Sequence, residues 1–495
     1  MTRIDELTRS WAGSRRLGQT PTVTAVVADS RQVTPGALFV AIPGFAMDGH
    51  QFIPEALQRG AVAIVYQNPQ AGSSLPPEIA AIQVPDSRRA LAELAADFHG
   101  HPSTSLTLVG ITGTNGKTTS TWLLDAVARA AGKTTGVIGT LGVSVAGGLR
   151  PGARTTPDAA ELQALLATMR DAGVEHVSME VSSHGLELDR VWLVKFDAAL
   201  FTNLTRDHLD FHTDPDSYYR AKRRLFTDYT ELARPEKELV GLLNLDDPAG
   251  QRLAQEATCR VATYGLNQAA EVRATHVHST RRGLSLLVNL PDRQEPLPLD
   301  LPLIGRFNAY NALGVVSCAW ALGFPPGAIR RGLEGLTAVP GRFERVEVGQ
   351  DFAVVVDYAH TPDALRNVLT AARELNPRRL LCVVGCGGDR DPGKRPQMGQ
   401  LATTLADYTF FTSDNPRTED PQAILRQIVA GAQGDAYEVI PDRREAIFTA
   451  VERCQPEELL LIAGKGHETY QEVEGQLLPF DDREVAREAI RLRTA

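Results

Sequence analysis

The segment Val109-Gly110-Ile111-Thr112-Gly113-Thr114-Asn115-Gly116-Lys117-Thr118-Thr119 constrains this chain more than any other. A β-branched run, Leu106–Thr112, reads as a strand; a glycine-rich turn follows, and helical spacing begins at Lys117. In such a corner the backbone N–H groups and the positive end of the helix converge on one point, which makes an anion site. Lys117 adds a charge suited to β/γ-phosphates, and Thr118 offers a hydroxyl to Mg²⁺. Only Thr114 and Asn115 separate Gly113 from Gly116, a tighter spacing than the common phosphate-loop pattern.

A strand–turn–helix corner of this kind belongs to an α/β fold, and the rest of the chain is patterned for one. With 495 residues and roughly 150 per domain, three domains are expected. We place them at 1–98, 99–332 and 333–495. In the first, Val23–Ala28, Ala37–Ile42 and Ala61–Tyr66 read as strands, and Phe52–Arg59 and Ser87–His99 as helices, with a linker at His99–Ser103. In the second, Glu175–Val181, Ala198–Thr202 and Leu239–Asn244 join Leu106–Thr112 as strands of a mainly parallel sheet. Glu271–Leu290 alternates and reads as an antiparallel annex, and Asn308–Leu322 as a closing helix. In the third, Phe352–Asp357, Leu380–Gly385, Tyr408–Thr412 and Glu458–Ala463 are buried strands between helices, a Rossmann-like arrangement.

Charge narrows the partners. Lys+Arg 51 against Asp+Glu 60 gives −9, which argues against a nucleic-acid binder while leaving room for a local basic pocket. No apolar run is long enough for a bilayer, and the start, Met1-Thr2-Arg3-Ile4-Asp5-Glu6, has no apolar segment after its charges, so no secretory signal is expected. Five scattered cysteines fit reduced thiols in a cytosol. Cys382 and Cys386 lack the partners of a zinc site and read as structural.

Other polar clusters sit where strands end, which is where open α/β sheets bind ligands. Glu180 closes a strand in Ser178-Met179-Glu180-Val181-Ser182-Ser183-His184-Gly185 and is placed to hold Mg²⁺. His208, in Thr202-Asn203-Leu204-Thr205-Arg206-Asp207-His208-Leu209-Asp210-Phe211-His212, could ligate a metal as neutral imidazole. Lys222 lies on a helix opening at Asp214-Pro215 and by itself reads as a solvated lysine. In the third domain, Asp357-Tyr358-Ala359-His360-Thr361-Pro362-Asp363, Gly385-Cys386-Gly387-Gly388-Asp389-Arg390-Asp391, Ser413-Asp414-Asn415-Pro416-Arg417 and Gly464-Lys465-Gly466-His467-Glu468 all follow strands and face one edge. Arg390 and Arg417 there could grip carboxylates in bidentate fashion.

Taken in order, Gly113–Thr119, Glu180–His184, Thr202–Asp210 and Asp357–Pro362 resemble the Mur ligases of bacterial peptidoglycan synthesis. The resemblance implies a domain for a uridine nucleotide, a central ATPase and a C-terminal domain for the incoming amino acid. Ala28, Ser30, Phe45, Ala46, Met47, Thr155, Thr156, Ser182 and Arg190 would then bind a UDP-muramoyl-peptide; Arg154 and Leu188 depart from the family's pattern in this region. Gly113, Thr114, Asn115, Gly116, Lys117, Thr118, Thr119, Asn308, Arg342 and Asp357 would bind ATP. Lys222 falls on the family's carbamylated lysine, an amine that reacts with CO₂ to become a carboxylate-like anion, and Thr118, Glu180, His208 and Lys222 would hold Mg²⁺. Lys117, Glu180, His208 and Lys222 form the implied catalytic set.

Arg390, Asp414, Asn415, Pro416, Arg417, Gly464 and Glu468 would bind the amino acid. The implied reaction is ATP-dependent addition of a diamino acid to UDP-N-acetylmuramoyl-L-alanyl-D-glutamate through an acyl phosphate. A guanidinium at Arg417 favours meso-2,6-diaminopimelate, which has a second carboxylate, over lysine or ornithine, which do not. A cytoplasmic monomer is expected. The folylpolyglutamate synthetases share the ATPase core without a uridine-nucleotide domain; a non-catalytic relative would be expected to have lost Lys117, Glu180 or Lys222.

Overall fold

The computed structural model describes residues 2–8, 11, 15–44, 47–152, 154–205, 211–267, 269–280 and 283–494. Among these, three extended sheets follow one another along the chain. The first has the strand order Arg15–Leu17, Ala80–Gln83, Ala63–Tyr66, Ala37–Val40, Ala25–Val27, parallel except for Arg15–Leu17. Helix Ser87–His99 covers it. Asp86 caps the helix by accepting from the N–H of Arg88 and Arg89, and Gly100 ends it in the left-handed region. The strand expected at Val23–Ala28 is split: Thr22–Val23 pairs with Thr2–Arg3, and only Ala25–Val27 enters the sheet.

The central sheet has eleven strands among the described residues, and its middle positions the site. Thr107–Thr112 lies between His176–Glu180 and Ala198–Phe201, all parallel. The ends of three neighbouring strands therefore open side by side: the glycine turn, Glu180, and the Thr202–Thr205 segment. Sequence-distant polar residues meet there because parallel register aligns the carboxyl ends. At one edge Val272–Thr280 and Gly283–Asn289 form the expected antiparallel annex. A third annex strand, Leu297–Leu301, was not expected; its Leu297, Leu299 and Leu301 face the core while Pro298 and Asp300 face out.

Helices Lys117–Ala130 and Phe307–Ala321 bury their apolar residues on one face of this sheet, with Leu123, Leu124, Val127, Leu313 and Val316 in its core. Helix Pro326–Gly335 lies against Lys117–Ala130, so position 332, where the sequence suggests that the central domain ends, falls inside a helix packed on that domain. The two helices approach closely at Gly332, where an added Cβ would overlap the Val127 backbone. Gly332→Ala should destabilise the protein by about 1–3 kcal/mol, the usual cost of overpacking. Gly335→Ala, with nothing within 4 Å of the new methyl group, should not. Thermal melting of the two variants checks this, and a Gly332→Ala protein that melts like Gly335→Ala would contradict the packing.

The third sheet has the order Glu344–Arg345, Ala353–Asp357, Leu459–Ala463, Leu380–Val384, Tyr408–Phe411, Tyr437–Val439, parallel apart from the first. Its neighbouring strand ends carry Asp357, Gly464, Gly385 and Asp414. A hairpin, Tyr470–Val473 with Gln476–Pro479, extends beside that edge. Cys382 and Cys386 are buried in this unit's core, and burial pushes both thiols up to about 12.

Candidate active site

The glycine turn is fixed from both sides. Thr114 N–H donates to Asn203 O (2.8 Å) and Asn115 N–H to Asn203 Oδ1 (2.9 Å). Gly116 has φ +86°, and a Cβ there would run into Asn311 Oδ1, so glycine is required at this corner. Lys117 opens the helix and folds back over the turn, donating from Nζ to the Gly113 and Thr114 carbonyls at 2.8 Å each.

Thr118 Oγ1 donates to Glu180 Oε2 at 3.0 Å and accepts from Arg342 Nη2 at 3.1 Å. Glu180 is 1% exposed. Its Oε1 accepts from Thr140 N–H at 2.8 Å and its Oε2 from the Thr140 hydroxyl at 3.1 Å. A hydroxyl and a carboxylate brought together beside the glycine turn form a hard-oxygen donor set of the kind Mg²⁺ takes. His208 lies outside the described residues.

Lys222 is not the solvated lysine that its sequence context suggests. It is 1% exposed, and its Nζ donates to Gly113 O at 2.8 Å and stands 4.6 Å from the centre of the Tyr218 ring. Its helix, Pro215–Arg223, is locked at the start by an Asp214–Ser217 capping box. Tyr218 in turn meets the Thr114 hydroxyl (3.1 Å), so this helix face packs on the turn.

The residues expected to bind the muramoyl-peptide join this cluster in part. Thr155 meets the Thr140 hydroxyl (3.0 Å). Thr156 Oγ1 donates to Glu180 O and lies 3.1 Å from Ser182 Oγ, while Arg190 donates to Thr156 O at 3.0 Å. Ser30 stands apart, donating to Glu55 at 2.7 Å. Met47 is exposed and Ala28 half-buried at the edge of the first sheet's core; Phe45 and Ala46 lie outside the described residues. Arg154 pairs with Asp158 at 3.5 Å.

Of the remaining nucleotide candidates, Asn308 is buried, donating to Ile304 O and accepting from Asn311. Asp357 accepts from the N–H groups of Phe343 (2.7 Å) and Ala359 (2.8 Å), and desolvation pushes its carboxyl up. Arg342 lies over the Tyr358 ring.

A second cluster forms at the third sheet's edge. Lys465 is fully buried and donates to Asn415 Oδ1 (2.7 Å) and Glu468 Oε2 (3.2 Å); Asn415 Nδ2 also donates to Glu468 Oε2 (2.9 Å). Asp414 is buried beside Gly464. Arg417 donates from Nε to Glu472 at 2.9 Å and from Nη1 to Gly388 O at 2.8 Å. The nearby Glu419 is instead held by the buried Arg395. Pro416 is buried and Arg390 exposed, donating to Asp389 O.

The sequence reading does not single out Lys465, Glu472 or Asp363, nor Thr140 beside Glu180 or Asn311 beside Asn308. Asp363 Oδ2 accepts from Asn115 Nδ2 (3.2 Å) and Thr205 Oγ1 (2.6 Å), tying the third unit to the turn. Its place in a strand-end motif was the available signal. Lys465 offered the same signal; Glu472 offered none.

Three family models match the chain: "Mur ligase family, catalytic domain" at 22–99, "Mur ligase middle domain" at 111–319 and "Mur ligase, glutamate ligase domain" at 341–466. The chain is 46% identical over 473 residues to a UDP-N-acetylmuramoyl-L-alanyl-D-glutamate–2,6-diaminopimelate ligase of Solibacter usitatus, covering 95% of this chain and 94% of the relative. A ligase of the same name from Geobacillus thermodenitrificans is 45% identical, with 96% of each chain covered. A solved structure of such a ligase superposes with a TM-score of 0.70 at 33% identity, covering all of both chains. The Mycobacterium tuberculosis folylpolyglutamate synthase has the same fold over 75% of this chain and 91% of its own, with a TM-score of 0.60 at 20% identity.

Proposed function

The chain belongs to the Mur ligase family, and we infer that it adds meso-2,6-diaminopimelate to UDP-N-acetylmuramoyl-L-alanyl-D-glutamate, forming an amide at the expense of ATP in peptidoglycan synthesis. The single observation that carries the residue-level account is the contact of Arg342 Nη2 with Thr118 Oγ1 at 3.1 Å. It brings the amino-acid unit against the phosphate-binding turn, as joining two substrates requires.

Residues Gly113–Thr119 cradle the ATP phosphates, with Asn308, Arg342 and Asp357 as further nucleotide contacts. The terminal carboxylate of the D-glutamyl unit attacks the γ-phosphorus; an O–P bond forms and the bond to ADP breaks. The incoming amine then attacks the acyl carbon, and phosphate leaves. The difficulty is bringing two anions together. Lys117 and Arg342 place positive charge on the phosphates. Thr118, Glu180, His208 and Lys222 would hold Mg²⁺, which would supply positive charge to offset the repulsion of the two anions. We assign a carbamate to Lys222: its ammonium gives up one proton, the neutral amine forms an N–C bond to CO₂ as one C–O π bond breaks, and a second proton leaves the nitrogen, so that a buried cation becomes an anionic oxygen ligand.

Ala28, Ser30, the Phe45–Met47 loop, Thr155, Thr156, Ser182 and Arg190 bind the UDP-muramoyl-peptide. The first unit, about 1–98, holds its nucleotide end; the central unit from 99 holds ATP; the last holds the amino acid. We read the protein as a monomer working in the cytoplasm, a reading supported by the ATP and UDP-linked substrates inferred for it.

Arg390, Asp414, Asn415, Pro416, Arg417, Gly464 and Glu468 take the amino acid, with Arg417 on the distal carboxylate. Lysine and ornithine leave that donor without its carboxylate, at a cost of about 1–3 kcal/mol. Arg417 Nε and Nη1 keep their partners in Glu472 and Gly388 O whichever amino acid is present, so the preference for diaminopimelate should be toward the lower end, about tenfold or more. Measuring kcat/KM for meso-diaminopimelate, L-lysine and L-ornithine tests the reading. Lysine or ornithine matching diaminopimelate would overturn it.

A further inference from the structure

We propose that Glu472 is a positioning residue that sets amino-acid choice by holding Arg417 in the pose that meets the second carboxylate of the incoming diamino acid. The proposal rests on the assignment of Arg417 to that carboxylate and adds the element that makes Arg417 selective: the Tyr470–Pro479 hairpin.

The hairpin and the specificity loop are stitched together. Arg417 N–H donates to Glu472 O (3.0 Å), and Glu474 N–H donates to Arg417 O (2.7 Å). Glu472 N–H donates to Asn415 Oδ1 (3.0 Å), and Gln471 Nε2 to Asp414 O (2.7 Å). Arg417 is held at φ +53°, a left-handed conformation that a residue with a side chain adopts rarely. Strain of this kind persists where the surroundings over-determine it, as they do here.

From that fixed backbone the Glu472 carboxylate reaches Arg417 Nε at 2.9 Å, while Gly388 O takes Nη1 at 2.8 Å. Two bonds on different nitrogens of a planar fork fix its orientation. Nη2 has no hydrogen-bond partner among the described residues and is the donor left for a substrate carboxylate. Glu472 is therefore part of the frame: its own N–H and C=O are held by the loop it orients, so a substrate carboxylate is not expected to displace it. The four stitches use backbone groups of Glu472, Arg417, Glu474 and Asp414 and the side chains of Asn415 and Gln471. Removing the Glu472 carboxylate leaves all of them in place.

The test is steady-state kinetics of the full-length enzyme as wild type, Glu472→Ala, Arg417→Ala and the double variant, with meso-diaminopimelate and L-lysine. Glu472→Ala should raise KM for diaminopimelate by about fivefold or more, with kcat and the KM for ATP within about twofold, the signature of lost binding rather than lost chemistry. The KM for lysine should not move, so the preference narrows. Adding Glu472→Ala to Arg417→Ala should cost nothing further, because the two residues act as one unit. An unchanged or lowered diaminopimelate KM in Glu472→Ala, an additive double variant, or a parallel loss toward ATP and lysine would overturn the role of Glu472. Arg417→Ala retaining the wild-type diaminopimelate KM would instead overturn the assignment of Arg417 beneath it.

Discussion

Lys117→Ala is expected to slow ligation by about three orders of magnitude or more, at the upper end of the losses caused by removing a charge that stabilises a transition state. The lysine starts the helix after the glycine turn proposed to bind phosphate, and its ammonium lies 2.8 Å from both the Gly113 and Thr114 carbonyls. In the proposed ATP site this ammonium meets the phosphates, and a neutral side chain on the turn would not replace its charge. Gly113 O keeps its bond from Lys222, so the turn should survive the substitution and the variant should melt like the wild type. The measurement is kcat at saturating substrates alongside a melting curve. Near-normal turnover would remove the turn from the account of ATP binding.

Lys222→Ala should be equally inactive, and short carboxylic acids should restore part of the activity. Amines kept out of water favour their neutral form, the form that reacts with CO₂. Lys222 is buried against the Tyr218 ring and Gly113 O, the latter in the turn that leads into Lys117 and Thr118. If its working form is a carbamate, alanine removes an anion from beside that turn, and acetate or formate can occupy the space left. Lys222→Arg, a cation that forms no carbamate, should be inactive and beyond rescue. The comparison separates the carbamate from a packing role: a lysine needed only to hold Gly113 O would be replaced in part by arginine and not at all by acetate. Activity in Lys222→Arg without added acid would contradict the assignment.

The features legible in advance are those set by short-range interactions. The turn from Gly113 to Thr119 is local, so its composition specifies its shape, and Glu180 joins it through parallel register, which alternating strands and helices imply. Helix Ser87–His99 was legible residue for residue because an Asp cap and a following glycine mark both ends. The burial of Lys222 was not legible. Its helix also carries Arg220 and Arg223, and only packing against a turn 109 positions away decides which cation goes inside. The partner of Arg417 was hidden for the same reason: Glu472 lies 55 positions away on a hairpin strand, Tyr-Gln-Glu-Val, whose residues are all half-buried and show no inward–outward alternation. Strand Leu297–Leu301 was obscured by its Pro298, which faces outward at a position where the edge tolerates proline.

The most direct test monitors phosphate release and product mass with the purified protein, Mg-ATP, UDP-N-acetylmuramoyl-L-alanyl-D-glutamate and meso-diaminopimelate, omitting each substrate in turn. Phosphate release is expected only when all three substrates are present, together with a UDP-linked product heavier than its precursor by one diaminopimelate less one water. Phosphate release that does not depend on the muramoyl-peptide or the diamino acid, or the complete mixture yielding no such product, would contradict the proposed reaction.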